Sequence, residues 1–181
     1  MKHILIVINM LFCCAVSFAQ KEGQDFCTGD KDASYFALME KKKLLWADTY
    51  YFETYEGVAT FNGKTYLKYK QQWQNGTNEY LYLRDEDGKV LQYDECCLTE
   101  TIRYDEFFEP GQKWQSEPRK VTYTLLSYDA SLKTPYCHYT GLMSIKAEYS
   151  KVTFVFYYQK GYGYVGATKD DKIISCATPE W

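Results

Sequence analysis

Histidine is nearly absent from this chain of 181 residues, which contains only two, His3 and His138. A metal site built from several histidines is therefore excluded, and a Ser-His-Asp or Cys-His arrangement would depend on His138 alone if a leader containing His3 is removed. The string Tyr136-Cys137-His138-Tyr139 sets a thiol beside an imidazole, but neighbouring side chains of a strand face opposite ways. We predict no catalytic residue, no metal and no cofactor.

Positive charge is also in short supply. The chain has 21 basic and 24 acidic side chains, a net charge of −3. Its only basic cluster is Lys41-Lys42-Lys43, which is typical of a solvated face. Because nucleic-acid binding depends on neutralising phosphates, we expect no nucleic-acid partner.

Long apolar runs are missing except at the N-terminus, where residues 4–16 follow Lys2. This run is too short to span about 30 Å of hydrocarbon, and small residues follow it at Ser17 and Ala19. The pattern predicts a cleavable signal peptide over residues 1–19 and no transmembrane segment. We therefore expect a periplasmic, secreted or cell-surface protein.

Lipid attachment is not expected, because bulky residues precede both cysteines of the leader: Leu11-Phe12 lie before Cys13, and Phe12 lies just before the Cys13-Cys14 pair. Removal of the leader takes away Lys2 and no acid, so the net charge falls from −3 to −4.

Five cysteines remain after the leader, an odd number in a compartment that favours disulfides. Adjacent Cys96 and Cys97 should face opposite sides of a strand and take separate partners. We expect two bridges, and one that joins the middle of the chain to a terminus would restrain that end. A zinc site from the two Cys pairs and His138 lacks the usual ligand spacing. The disulfide candidates are Cys27, Cys96, Cys97, Cys137 and Cys176.

Aromatic residues, by contrast, make up 18% of the chain, and 19 of them are Tyr. Such residues favour a pleated, half-buried surface. Asn62-Gly63 and Asp87-Gly88 each join two alternating segments and supply the positive φ of tight hairpin turns, and Asn75-Gly76 is a third turn candidate. A meander is predicted over residues 50–94, with Tyr80 and Tyr82 on one face.

Further short strands are predicted to follow, separated by proline-containing breaks. We predict an all-β fold, a single antiparallel meander curled into a barrel or a sandwich. Residues 35–46 favour a short N-terminal helix. Residues 20–31 are predicted to be an exposed leader, and residues 32–181 a single β-rich domain.

Gly161-Tyr162-Gly163-Tyr164-Val165-Gly166 matches the G-x-G-x-x-G pattern of dinucleotide-binding loops. That function needs a following helix and a returning parallel strand, whereas the next residues indicate a turn and a strand. Glycines within a strand more often mark a bulge or a close backbone approach. We predict the latter.

Five segments follow one another along the chain: Trp46, FNGKTY (61–66), YLRDEDGKV (82–90), RYDEFFEPGQKW (103–114) and YYQKGYGYVG (157–166). Together they resemble a largely uncharacterised group of small exported β-rich proteins of Bacteroidota-type bacteria. That resemblance implies an exported β-fold and transfers no catalytic residue. The sequence departs from the group in two places, since Lys160-Gly161-Tyr162-Gly163 replaces an EGIG pattern and Cys96-Cys97 has no counterpart.

The abundance of Tyr favours a non-enzymatic binding or structural domain with an aromatic-rich surface, because Tyr and Trp make rigid contacts at low entropic cost. A protein or glycan partner would suit such a surface, and the oligomeric state stays open. The binding candidates are Tyr80, Tyr82, Tyr157, Tyr162, Tyr164 and Trp73.

Two alternatives remain. The first is an inhibitor or immunity protein directed against a basic envelope enzyme, which the acidity and small size would suit. The second is a glycan hydrolase that uses paired carboxylates. Its candidate acids are Glu53, Asp85, Asp87, Asp94, Glu95, Asp105 and Glu106.

Overall fold

A computed structural model describes residues 27–36 and 41–179. The predicted signal peptide and residues 20–26 of the predicted leader lie outside the described residues. Strand follows strand from Lys41 to Thr178. The strands are β1 (Lys41–Trp46), β2 (Thr49–Phe61), β3 (Lys64–Trp73), β4 (Asn78–Glu86), β5 (Lys89–Asp94), β6 (Thr99–Asp105), β7 (Lys113–Ser116), β8 (Val121–Lys133), β9 (His138–Glu148), β10 (Thr153–Gln159), β11 (Gly163–Lys169) and β12 (Lys172–Thr178).

The strands form one 12-stranded antiparallel sheet in the order β6-β5-β4-β3-β2-β1-β12-β11-β10-β9-β8-β7. Every strand pairs with the next strand in sequence except at the β6–β7 junction, and β1 also pairs with β12. The first and last strands therefore meet, and the sheet curls into a nearly closed barrel. The predicted all-β meander is confirmed.

The hairpin predictions are confirmed at their turn residues. Asn62 and Gly63 have φ values of 51° and 75° between β2 and β3, and Asp87 and Gly88 have 51° and 92° between β4 and β5. These are the positive φ values that tight primed turns require. Tyr80 and Tyr82 face the same side of β4, since their neighbours Leu81 and Leu83 pack in the core.

The helix predicted over residues 35–46 is wrong for residues 41–46, which form β1. Leu, Met, Ala and Lys gave residues 35–46 a helical composition, but propensity is a weak prior that tertiary pairing overrides. Here β1 pairs on one side with β2 and on the other with β12. Leu44 is completely buried by this arrangement.

The barrel has a seam between β6 and β7, which are consecutive in sequence but are not paired as neighbours in the sheet. Side chains cross the seam instead of a backbone ladder. The indole Nε1 of Trp114 donates to the carbonyl of Ile102 at 3.1 Å, and Arg119 bonds both carboxylate oxygens of Asp94. These contacts hold the two free edges together.

The turns of an up-and-down sheet lie alternately at its two ends. We call the end that contains the β3–β4, β5–β6, β7–β8 and β9–β10 turns the mouth, and the opposite end the base. Residues 27–36, which we call the strap, bond to the base: Asp30 N donates to Lys160 O at 3.1 Å, and Gly161 N donates to Ser34 O at 2.8 Å. The strap thus closes the base.

A disulfide between Cys27 and Cys137 ties the strap to the β8–β9 turn, across 110 residues of sequence. Cys96 pairs with its neighbour Cys97, so the expectation that they take separate partners is wrong. They lie in the β5–β6 turn rather than in a strand, and strand alternation does not apply there. Cys176 is a buried free thiol.

The glycine motif lies at the β10–β11 turn, where the sequence predicted a structural role for its glycines. Gly161 and Gly163 have φ values of 74° and 80°, and the β10–β11 pairing slips by one residue between Tyr157 and Tyr158. A Cβ on Gly166 would lie 2.6 Å from the carbonyl oxygen of Ser175. The prediction of a bulge and a close backbone approach is confirmed.

One aromatic group packs outside the barrel. Tyr66, Tyr82 and Tyr93 are only 2%, 5% and 6% exposed, although Tyr82 faces away from the interior, and Phe61 stacks on Tyr93 with ring centroids 4.1 Å apart. Arg84 and Glu100 bond one another beside them. We call these residues the outer cluster: Phe61, Tyr66, Tyr82, Arg84, Tyr93 and Glu100.

Candidate functional site: the aromatic cavity of the barrel

An irregularity in β6 places Arg103 inside the barrel. Val90 pairs with Tyr104 and Leu91 with Ile102, so Arg103 is the extra residue of a bulge. Tyr104 belongs to the core, and in a regular strand its neighbour Arg103 would face outward. The bulge instead turns Arg103 inward, where its Nη1 donates to Gln92 Oε1 at 2.8 Å.

Within the part of the chain that the structure describes, Arg103 has no carboxylate within ion-pair distance. Its guanidinium lies 5.9 Å from the ring centroid of Tyr158. Burial lowers the pKa of Arg103, but the nearby hydroxyls of Tyr158 and Tyr104 and the charge of Glu53 together raise that pKa above its ordinary value. The side chain therefore stays cationic in the interior.

The second interior cation has a dedicated partner. Lys42 Nζ lies 3.1 Å from Glu53 Oε1, and both side chains are under a tenth exposed. Gln71 Nε2 donates to the other oxygen of Glu53 at 2.7 Å. Burial raises the pKa of Glu53, while Lys42 and the Gln71 hydrogen bond lower it, and the net result is a lowered pKa. Glu53 is thus an anion already matched to Lys42.

The other buried acid of this region is matched as well. Asp94, with a side chain only 2% exposed, forms an ion pair with Arg119 and accepts a hydrogen bond from Gln92 Nε2 at 2.9 Å. Gln92 therefore connects Asp94 to Arg103 without neutralising Arg103. The interior is left with one cation more than its buried carboxylates balance.

Two adjoining cavities surround these groups. The inner cavity has a volume of about 120 Å³, and the cavity at the mouth has about 260 Å³. Five residues border both cavities, so Arg103 lies where the cavities meet. Most of the remaining lining of the inner cavity is aromatic, whereas that of the mouth cavity is mixed. The shared residues are Gln71, Leu81, Arg103, Phe156 and Tyr158.

Tyr69 contributes an unsatisfied hydroxyl to the inner cavity. The side chain is 4% exposed, and its hydroxyl has no hydrogen-bond partner among the described residues. Burial is the main cause that raises its pKa, followed by the charge of Glu53. A buried hydroxyl without a partner costs about 1–3 kcal/mol, and a bound molecule would remove that cost.

Two of the six predicted binding residues border the cavities. Tyr80 lies at the mouth, 43% exposed, and Tyr164 lines the inner cavity. The structure does not bring the other four into the site. Tyr82 belongs to the outer cluster, Tyr157 approaches Thr168, Tyr162 packs in the core of the base, and Trp73 packs on Tyr51.

Sequence reasoning missed Arg103, Tyr69 and Gln71. The string ETIRYD shows Arg103 in an alternating strand and carries no signal of the bulge. Gln71 and Tyr69 alternate with Lys68 and Lys70, and this alternation could have indicated a polar and aromatic inner face on β3.

His138 is exposed on β9 beside Cys137, whose thiol is taken up by the disulfide to Cys27. In residues 27–36 and 41–179, no group of three or more His, Cys, Asp or Glu side chains could hold a metal ion. None of the helices described there is long and apolar enough to cross a membrane.

Comparisons with known proteins give structural neighbours only. No family model matches the chain, and no curated protein matches it. A protein of Bacteroides fragilis described as exported and YmcC-like in fold has 10% identity and a TM-score of 0.49, over 81% of this chain and 97% of its own. A protein of Parabacteroides distasonis described as a lipoprotein has 11% identity and a TM-score of 0.44, over 81% of this chain and 96% of its own.

Proposed function

We propose that this protein is an exported, non-enzymatic binding domain that takes a small ligand into its barrel through the mouth. The observation that carries the proposal is an aromatic interior with room for a ligand and a buried Tyr69 hydroxyl without a partner. Ligand sites are mostly apolar hollows with a few placed polar groups. Of the aromatic residues that the sequence offers for binding, Tyr164 and Tyr80 would then border the ligand site.

The size of the site limits the ligand. Cavities of about 120 and 260 Å³ are at the small end of ligand sites, which typically measure roughly 300–1,000 Å³. The base is closed by the strap, whereas the mouth cavity is bordered by the exposed residues Glu79 and Tyr80 of β4. A compound about as large as one substituted aromatic ring fits this shape.

The hydrolase alternative finds less support in the same cavity. A glycosidase of the common type needs one carboxyl with a raised pKa to protonate the leaving group. Glu53 is the carboxyl of the inner cavity, and its pKa is lowered by Lys42. Binding without chemistry fits such a fixed, already paired anion better.

A cavity-filling variant tests the proposal. Leu81 is 8% exposed and borders both cavities, whereas Leu126 is 41% exposed, so Leu81→Trp fills the site and Leu126→Trp is its matched control. Small aromatic compounds (phenol, benzamide and benzoate) are titrated into each protein by calorimetry. We expect saturable 1:1 binding by the unmodified protein and by Leu126→Trp, and its loss in Leu81→Trp.

Absence of binding by the unmodified protein, or equal binding by both variants, would contradict the proposal. The inhibitor alternative predicts a different pattern, because a protein partner bound to the outer surface would be retained by Leu81→Trp. Capture of a basic enzyme from envelope extracts by both variants would favour that alternative.

A further inference from the structure

We infer that the ligand of this cavity is a small monoanion, a carboxylate on an apolar or aromatic body, whose charged group is bound by Arg103. This inference rests on the proposed function, because it names the chemical class of the compound that enters the same site. Three features of the interior carry it: the charge balance, the geometry of the bulge and the aromatic walls.

The charge balance calls for one negative charge. Glu53 is matched to Lys42 at 3.1 Å and Asp94 is matched to Arg119, which leaves Arg103 with a neutral amide as its hydrogen-bond partner. Arg103 is half-buried, and charges withdrawn from water are normally paired, since desolvating an unpaired ion is costly. A monoanion between the two cavities would neutralise the charge of Arg103, whereas a dianion would leave one negative charge unpaired.

Glu79 is the one further carboxylate on the lining. It borders the mouth cavity and pairs in register with Gln71, but its side chain is exposed. No ion pair joins Glu79 to Arg103 within the described residues. An exposed carboxylate at the rim is solvated by water, so it does not replace an anion bound beside Arg103.

The form of the cation favours a carboxylate. A guanidinium offers a planar fork of N–H donors that matches two carboxylate oxygens, and one terminal nitrogen, Nη1, is held by Gln92. That hydrogen bond fixes the orientation of the fork in the absence of ligand. Gln71 borders both cavities, so it can contact the ligand once it rotates away from Glu53.

The walls favour a flat, apolar body on the same molecule. Tyr104 packs on Tyr158 with ring centroids 4.9 Å apart, and Tyr158 packs on Tyr164 at 5.8 Å. Phe156 lies next to Tyr164 at 6.1 Å and borders both cavities. An aromatic ring attached to the carboxylate would continue this edge-to-face packing.

Matched acids and amides test the inference. Benzoate and phenylacetate are compared with benzamide and phenylacetamide, which have nearly the same shape and no charge, by calorimetry on the unmodified protein. Replacing a charged hydrogen-bond partner by a neutral one weakens binding by about tenfold to a hundredfold. We expect the acids to bind tighter than the amides by that factor.

Variants then assign the preference to one residue. Arg103→Gln should bind acid and amide equally, and Arg103→Lys, which keeps the charge but not the fork, should retain part of the preference. Lys70→Gln is the charge control, because Lys70 lies on the opposite face of β3 from Gln71, and it should behave as the unmodified protein. Thermal melting of each free variant verifies that it folds.

The outcomes separate the two proposals. If neither acids nor amides bind, the proposed function fails and the inference falls with it. If both bind equally well, cavity binding stands and the inference is overturned. The inference is also overturned if the acid preference persists in Arg103→Gln, or if Lys70→Gln loses it to the same extent.

Discussion

The outer cluster and the barrel cavity contain the same residue types, Arg and Tyr, but differ in how their polar atoms are satisfied. Outside, Arg84 is bonded to Glu100 and to Glu86, and the hydroxyl of Tyr66 also donates to Glu100. Inside the barrel, Arg103 donates a hydrogen bond to the neutral amide of Gln92, and the hydroxyl of Tyr69 has no hydrogen-bond partner among the described residues. The polar atoms of Arg84 and Tyr66 are therefore matched within the protein, whereas the proposed function assigns those of Arg103 and Tyr69 to a ligand.

Loss of the buried interior ion pair should have the largest effect on stability. Lys42→Met leaves Glu53 as an uncompensated buried charge, which typically costs about 3–5 kcal/mol. We expect the free energy of unfolding, measured by urea denaturation at pH 7, to fall by that amount. The double variant Lys42→Met/Glu53→Leu should recover much of the loss, and no recovery would show that the pair acts otherwise.

The acid of the outer cluster should come next, with a defined dependence on pH. Hydrogen bonding from Arg84 is the largest cause that lowers the pKa of Glu100, from 4.5 to about 2. Glu100 therefore contributes stability that is fully present above about pH 4.5 and is lost as the pH falls through about 2. We expect Glu100→Gln to cost about 2 kcal/mol at pH 7.

The difference between Glu100→Gln and the unmodified protein should shrink steadily when urea midpoints are measured at pH 6, 4 and 3. A constant difference over this range would contradict the assigned pKa. Glu109→Gln, a change of an exposed acid in the β6–β7 loop, is the matched control and should change stability little at any pH.

The two arginines offer the sharpest test of the contrast. Arg84→Gln removes a partner from Glu100 and should lower the free energy of unfolding by about 1.5 kcal/mol, a usual value for a hydrogen bond to a charged group. Arg103→Gln relieves an unmatched charge and should leave stability unchanged within about 0.5 kcal/mol, or raise it. An equal loss of the free energy of unfolding in both variants, measured by urea denaturation, would contradict the difference drawn between the two regions.

The smallest effect concerns two tyrosine hydroxyls. Tyr66→Phe removes the donor to Glu100 and should cost about 1 kcal/mol, whereas Tyr69→Phe removes a hydroxyl without a partner and should cost nothing or stabilise the free protein. Differential scanning calorimetry of both variants measures this. A larger loss for Tyr69→Phe would mean that its hydroxyl is satisfied in the unliganded state.

Local chemistry made much of the fold predictable. The Asn62-Gly63 and Asp87-Gly88 turns require positive φ, and alternation put Tyr80 and Tyr82 on one face. The helix predicted from composition was wrong for β1, because Lys41–Trp46 pairs with the next strand, β2, and with β12 near the other end of the chain. The expectation for Cys96 and Cys97 was also wrong, because a turn replaced the assumed strand.

The site was predictable only in part, because its residues come together through contacts between distant segments. Tyr80 and Tyr164 were identified as aromatic residues, but nothing local shows that Tyr164 faces a cavity while Tyr82 packs outside. Arg103 depends on how β6 slips against β5.

Alternating side chains and turn residues along the chain determined by themselves that this protein is an antiparallel meander, because both act between near neighbours. Closure through β1 and β12, the choice of the inner face, and the position of Arg103 were decided by the tertiary structure. A one-residue shift in pairing moves a side chain across the sheet, and that shift depends on a partner strand rather than on the strand's own sequence.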